Sequence, residues 1–341
     1  MIQQHGGNIQ QFENILDFSA NINPLGMPEK VRSAIIEGID DIEKYPDPYC
    51  TKLRKKLAEH EKIPAENIVC GNGADDLIFR IVNTVKPRRA LICTPIFSEY
   101  SRALGEIECD IDEHMLTEES SFRLTEAFLE KLDNSYDICF ICTPNNPTGR
   151  LVDSEMLKAI AEKCEQNGTF LVCDECFMGF AEGVSLSRFM NPKCIILRAF
   201  TKFYAMAGIR LGYAICGDSG IAGKIQESGQ FWSVSSIAQA AGIAALDDAE
   251  FISRTVEYVK SERNFLICEL SGMGIKVFDS SANFILFKEK NGLCEKLLNE
   301  GILIRDCRNF SGLSEEFYRI AVRTHDENIR LIATLRRCLN G

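Results

Sequence analysis

The chain has 341 residues, 45% of them hydrophobic and 26% charged, with a formal net charge of -11. That length allows one large and one small domain around a substantial core, and the negative balance speaks against nucleic acid as a main partner. No apolar run reaches the ~20 residues of a membrane helix, and the polar start around His5, Gly6 and Asn8 has no signal-peptide pattern, so a cytoplasmic protein away from membranes is expected.

Helical patterns are expected around 29–40, 49–61, 73–85, 98–105, 124–132, 153–167 and 220–230. Between them the apolar runs Ala90–Cys93, Ile138–Cys142, Thr169–Cys173, Cys194–Leu197 and Leu211–Cys216 read as buried strands, several of them parallel. This alternation predicts a large α/β domain over 36–240 with a mostly parallel sheet. Beyond 240 come a long helical stretch to about 271, a strand pair near 275–288, another helix, and strands at 302–305 and 317–322. They fit a smaller α+β domain of 241–341, completed by residues 1–35.

Cys139 and Cys142, with Cys173 and Cys176, have the spacing of a zinc site. Both pairs lie in strand-like runs, where residues three apart point to opposite faces. Free, reduced core cysteines and no metal are therefore expected.

Several residues carry chemistry in chain order. Gly73, Ala74 and Asp75 follow a glycine-rich loop and open a helix, whose amides and dipole suit a phosphate. Phe97, two residues after Pro95, suits either the face of an aromatic ligand or the core. Asn145–Gly149 is a strong turn that also aims the Asn146 amide outward. Asp174 ends a strand, where open α/β sheets bind ligands, though such an aspartate also suits capping of the next turn. Lys202 sits in the apolar run Ala199–Tyr213, where desolvation would make it a nucleophile able to form an imine with an aldehyde such as that of pyridoxal phosphate. Arg210, eight residues on, has a planar fork suited to a phosphate; a snorkelling lysine and a surface arginine are the other reading of the pair.

Asn146-Pro-Thr-Gly149, Asp174-Glu175, Thr201-Lys202 and Gly208-x-Arg210-x-Gly212, in that order, resemble the fold-type I pyridoxal-phosphate enzymes, which have an aspartate aminotransferase-like fold. Most of the chain is covered. The closest likeness is to the histidinol-phosphate aminotransferase branch and, within it, to the threonine-phosphate decarboxylases, through His5–Ile9, Asp17–Gly26 and Thr201–Ala205.

The resemblance implies pyridoxal 5'-phosphate as cofactor, with Lys202 on its aldehyde, Asp174 at the pyridine nitrogen and Asn146 at the phenolate. It also implies Thr201, Arg210 and the amides of Gly73, Ala74 and Asp75 at the phosphate. Tyr45 resembles a tyrosine that reaches the partner subunit's cofactor, so a homodimer is implied. Arg319, with Asn21 beside it, matches the arginine for the substrate carboxylate, and Arg305 matches a second substrate arginine. Arg323 is either a distinguishing residue or a solvated strand-end charge. His5 and the Gly6 and Gly7 amides are expected at the phosphate of a phosphorylated amino acid, with Arg305 or Arg323 assisting. Phe177 and Ala199 stand where the aminotransferases often carry a tyrosine and a hydroxyl residue. The activity implied is decarboxylation of L-threonine O-3-phosphate to (R)-1-aminopropan-2-yl phosphate in cobalamin biosynthesis. The alternatives are histidinol-phosphate transamination with 2-oxoglutarate and, more remotely, a non-catalytic binding protein of the same fold.

Overall fold

The computed structural model describes residues 5–290 and 292–340. Seven strands form one sheet in the order Ile68–Gly71, Gly212–Cys216, Cys194–Ala199, Phe170–Asp174, Ile138–Cys142, Arg89–Thr94, Asp110–Met115. Gly212–Cys216 runs antiparallel to both its neighbours, and every other pairing is parallel.

The central strands are apolar on both faces because both faces are covered. Ile138, Phe140, Cys142, Val172 and Leu197 enter one core with the helices Gly73–Val85, Glu99–Gly105 and Ser219–Glu227. Cys139, Ile141, Leu171, Cys173 and Ile196 enter the other, with Ser154–Asn167 and Ser236–Leu246. Each fully buried aromatic or branched aliphatic side chain in these layers contributes about 1.5–3 kcal/mol of apolar transfer. The helix Ser154–Asn167 stops at Gly168, whose φ of 76° is left-handed and lets its amide return to the Cys164 carbonyl.

A second, antiparallel sheet has the order Arg305–Asp306, Phe317–Ala321, Phe284–Lys288, Lys276–Val277. The helix Ala249–Gly272 packs on it and on His325–Asn340. Leu16–Asp17 pairs in parallel with Ile302–Leu303, which ties the N-terminal segment to this half of the molecule. The helix Glu29–Glu37 packs on Ser236–Leu246, so the boundaries expected at 35/36 and 240/241 both fall inside helices that pack on each other.

Four elements differ from the sequence reading. The helical stretch to 271 is two helices, broken at Asp247–Asp248, where the Asp248 carboxylate accepts from the Phe251 amide at 3.3 Å. The strand Asp110–Met115 is an edge strand made largely of polar residues, and Ile68–Gly71 is only four residues long, so neither shows a clear period. The helix His325–Asn340 also went unread.

All fifteen cysteines are free thiols. Cys139 and Cys173 lie in one core layer and Cys142 in the other, as the alternation of the strands requires. Among the described residues no cluster of His, Cys, Asp or Glu is arranged to hold a metal ion.

Candidate active site

The loops that leave the carboxyl ends of the parallel strands converge on one edge of the large sheet, the position where such sheets bind ligands. Asn146 follows Ile138–Cys142, Asp174 ends Phe170–Asp174, Lys202 follows Cys194–Ala199, Phe97 follows Arg89–Thr94, and the helix at Gly73 follows Ile68–Gly71. Arg210 precedes the antiparallel strand Gly212–Cys216 and so reaches the same edge. Asn146, Asp174, Lys202, Phe97 and Arg210 line a cavity of about 450 Å³, together with Ala74, Asp75 and Thr201. From the N-terminal segment and the small sheet, His5, Gly6, Asn21, Arg305 and Arg319 complete it.

Lys202 stands on the single helical turn Phe200–Phe203, whose other three side chains are buried. Burial, and then the neighbouring Arg319 guanidinium, pull its ammonium down to about 8. A lysine with that value has an appreciable free-amine fraction near neutral pH and is a competent nucleophile towards an aldehyde.

Asp174 is buried at the floor. Its Oδ2 accepts from the Tyr100 hydroxyl at 2.5 Å and its Oδ1 from the Cys176 amide at 2.8 Å. Tyr100 is itself fully buried, stacked on Phe140 and edge-on to Phe97, and burial followed by the Asp174 charge pushes its phenol well up, so it stays a donor.

The helix that begins at Gly73 has no side-chain cap from Asn72. A Cβ at Gly73, which has φ 87°, would lie 2.8 Å from Arg210 Nη2, and one at Gly212 would lie 2.6 Å from the Ala74 amide nitrogen. The absence of these two side chains lets the Arg210 fork lie against the helix terminus. Arg210 has a left-handed φ of 61°, a conformation that a non-glycine residue holds at a cost. Asp75 Oδ1 is buried without a hydrogen-bond partner among the described residues, and burial, then Glu99, push that carboxyl up.

Arg319 is 5% exposed. Its Nη1 donates to Asn146 Oδ1 and its Nη2 to the Ser19 carbonyl at 2.9 Å, while Nε has no hydrogen-bond partner among the described residues. Because Asn146 accepts through its oxygen, its amide nitrogen is the end left to donate. The turn that carries it is fixed by Asn145, whose side chain donates to the Pro95 carbonyl and to Thr148 Oγ1, both at 3.0 Å. Arg305 is the direct cross-strand neighbour of Arg319 and is also buried; its Nη2 donates to Asn309 at 2.7 Å. Burial lowers both guanidiniums, Arg319 to about 10, and both remain charged at neutral pH. Asn21 Oδ1 is buried without a hydrogen-bond partner among the described residues.

Four residues singled out in the sequence lie outside this lining: Gly73, against which the Arg210 fork rests, and three more. Gly7 is outside the lining and its amide donates to Ser19 Oγ at 2.9 Å, which removes it as a donor for a ligand. Arg323 is outside the cavity and pairs with Glu327, one helical turn on, at 2.6 Å. Tyr45 is 80% exposed and stacks on Trp232 with centroids 4.5 Å apart, away from the lining. Phe177 and Ala199 do line it, with Phe177 edge-on to Phe284.

The sequence reading missed Ser19, Glu99, Tyr100, Arg102, Cys176, Asn309 and Phe310. Tyr100 carried one signal, its place three residues beyond Phe97 in a short helical pattern.

The donor set fits pyridoxal 5'-phosphate. It offers a depressed lysine for the aldehyde, a carboxylate for the ring nitrogen, an amide for the phenolate, and an uncapped helix terminus with an arginine for the phosphate. Buried polar atoms left open on Arg319, Asn21 and Asp75 mark places where a bound molecule would complete the hydrogen bonding.

The model of the family described as aminotransferase class I and II matches residues 13–335. The chain is 40% identical to the threonine-phosphate decarboxylase of Salmonella typhimurium, over 99% of this chain and 97% of that one. It is 38% identical to the adenosylcobalamin biosynthesis bifunctional protein of Leptospira interrogans, over 97% of this chain and 40% of that protein. Among solved structures, the histidinol-phosphate aminotransferase of Clostridium acetobutylicum superimposes with a TM-score of 0.90 at 32% identity, covering 96% of this chain and 99% of that one.

Proposed function

Because the chain belongs to the aminotransferase class I and II family, an enzyme family that works with pyridoxal 5'-phosphate, we propose that it decarboxylates L-threonine O-3-phosphate to (R)-1-aminopropan-2-yl phosphate in cobalamin biosynthesis. The names of the Salmonella and Leptospira relatives support the substrate and the pathway. The observation that carries the reading is the buried cross-strand pair Arg305 and Arg319 facing the cavity of Lys202. Two buried guanidiniums side by side at one cavity suit a substrate that carries negative groups, since a planar fork pairs well with carboxylate or phosphate oxygens.

In this reading the cofactor, held by Lys202, Asp174, Asn146, Thr201, Arg210 and the Gly73–Asp75 amides with Phe97 at its ring, supplies an electron sink for the pair released when a bond to Cα breaks. Asp174, anchored by the Tyr100 hydroxyl, would hold the ring nitrogen. Arg319 and Asn21 grip the substrate carboxylate and, with Arg305 and His5 on the phosphate, set which Cα bond is strained for cleavage. With the substrate amine in place of Lys202 on the cofactor, Lys202 Nζ would be free to hold a proton and to give it to Cα where carbon dioxide has left. Phe177 brings no hydroxyl, so Asn146 is the phenolate donor.

Ile39, Ile42, Tyr45, Tyr49, Phe231 and Trp232 are all exposed, and the last four form an aromatic cluster. Such a patch supports a homodimer in which Tyr45 reaches the partner subunit's site. No helix among the described residues is long and apolar enough to cross a membrane. Fifteen free thiols support a reducing, cytoplasmic setting.

The 32% identity to the Clostridium structure supports a second reading, transamination of histidinol phosphate. The test is the product: 1-aminopropan-2-yl phosphate identified by NMR after incubation with L-threonine O-3-phosphate supports the first reading, and its absence removes it.

A further inference from the structure

Glu99 is a carboxylate that nothing in the chemistry above employs, yet it lines the cavity and is 3% exposed. A carboxylate in that position is costly unless cations hold it. It has two. Its Oε2 accepts from Arg102 Nη1, one turn on in the same helix, at 3.0 Å. Its Oε1 lies 2.9 Å from His5 Nε2 and has no hydrogen-bond partner among the described residues.

His5 belongs to a short N-terminal strap with a second point of attachment. The Gly7 amide donates to Ser19 Oγ, Ser19 Oγ donates to Asp17 Oδ1 at 2.6 Å, and the Ser19 carbonyl accepts from Arg319 Nη2. A Cβ at Gly6 would collide with the Ser19 carbonyl oxygen, so the strap lies directly on that residue. One end of the strap is therefore fixed to the residue that also steadies Arg319, and the other end to Glu99.

We infer that Glu99 is a positioning residue, whose buried carboxylate pins His5 and the strap over the cavity and thereby sets affinity for the phosphorylated end of the substrate. This rests on the proposed function. With Nε2 turned to Glu99, the His5 ring presents Nδ1 as its remaining polar atom, and Arg102 is held at the same rim. Both groups are exposed enough to swing away without that anchor, since His5 and Arg102 side chains are 46% and 58% accessible. An unphosphorylated amino acid gripped by Arg319 alone does not depend on the anchor.

The test compares Glu99→Gln, His5→Ala and the double variant as cofactor-loaded enzymes. For Glu99→Gln the KM for L-threonine O-3-phosphate is expected to rise about 10- to 100-fold with kcat nearly unchanged, the size of one lost contact to a charged group. The inhibition constant of L-threonine should stay the same, and amide exchange at residues 5–9 should accelerate. The double variant should be no worse than the weaker single variant, because Glu99 acts through His5. An equal loss for both compounds, additive effects, or unchanged KM and exchange would overturn the inference. His5→Ala alters an exposed residue and keeps the test open should Glu99→Gln fold poorly. Should the wild type release no carbon dioxide from L-threonine O-3-phosphate, the proposed function fails by itself; the anchor is then read from equilibrium affinity for that compound and from the exchange at 5–9.

Discussion

The Tyr100 hydroxyl donates to Asp174 Oδ2 at 2.5 Å from a ring that is fully buried between Phe140 and Phe97. The floor of the site is thus a neutral phenol bonded to a carboxylate in a dry core, with the Cys176 amide donating to the other carboxylate oxygen at 2.8 Å. Tyr100→Phe keeps the packing and removes the donor. It should cost about 1.5–3 kcal/mol, the value of a hydrogen bond to a charged group, read by denaturant unfolding of the cofactor-free protein. Cofactor affinity should fall with it, and an unchanged unfolding midpoint would show that Asp174 finds an equivalent partner.

Lys202 gives a pH dependence with a definite sign. Its folded value of about 8 lies below the ordinary 10.5, so below about pH 8 the buried ammonium weighs fully against folding. As pH rises from about 8 towards 10.5 the folded state sheds its proton first and gains stability. The penalty is on the order of 3 kcal/mol at 1.36 kcal/mol per unit. The cofactor-free Lys202→Met variant should therefore be more stable than wild type at pH 7, with a gap that narrows by pH 9.5. Every catalytic activity should be lost in it.

Arg319 acts through its fork. Arg319→Lys keeps a charge but cannot hold Asn146 and the Ser19 carbonyl together while meeting a carboxylate. A fall in kcat/KM of about 100-fold or more is expected, in line with the 2–5 kcal/mol of a broken buried charge pair. Steady-state kinetics on the loaded enzyme reads it, and a loss under threefold would place the carboxylate elsewhere.

Trp232 stacks on Tyr45 in the exposed aromatic cluster. Trp232→Glu puts a charge into that patch and should shift sedimentation from dimer to monomer while leaving the fold intact. Activity should fall with the dimer, because each site would lose the Tyr45 of the other subunit. A wild-type monomer in the same experiment would remove the homodimer reading.

Lys202, Asp174, Asn146 and Arg210 could be picked out of the sequence because each lies within a few residues of an apolar strand; the first three follow or end parallel strands and Arg210 precedes an antiparallel one, so all reach one edge. Tyr100 and Glu99 could not, since their partners Asp174 and His5 meet them only through the tertiary fold. Arg323 was ambiguous for a related reason: its pairing with Glu327 becomes visible only once residues 325–340 are known to be helical. The Gly7 amide was claimed by Ser19, a contact between two loops that no local pattern encodes. The polar edge strand Asp110–Met115 escaped because an edge needs no continuous apolar run.

The most direct measurement follows carbon dioxide and glutamate in two parallel incubations of the cofactor-loaded protein, one with L-threonine O-3-phosphate alone and one with histidinol phosphate and 2-oxoglutarate. Carbon dioxide in the first, with no oxo acid present and none from Lys202→Ala, is the expected result. Glutamate in the second with no carbon dioxide in the first would contradict it and make the chain an aminotransferase.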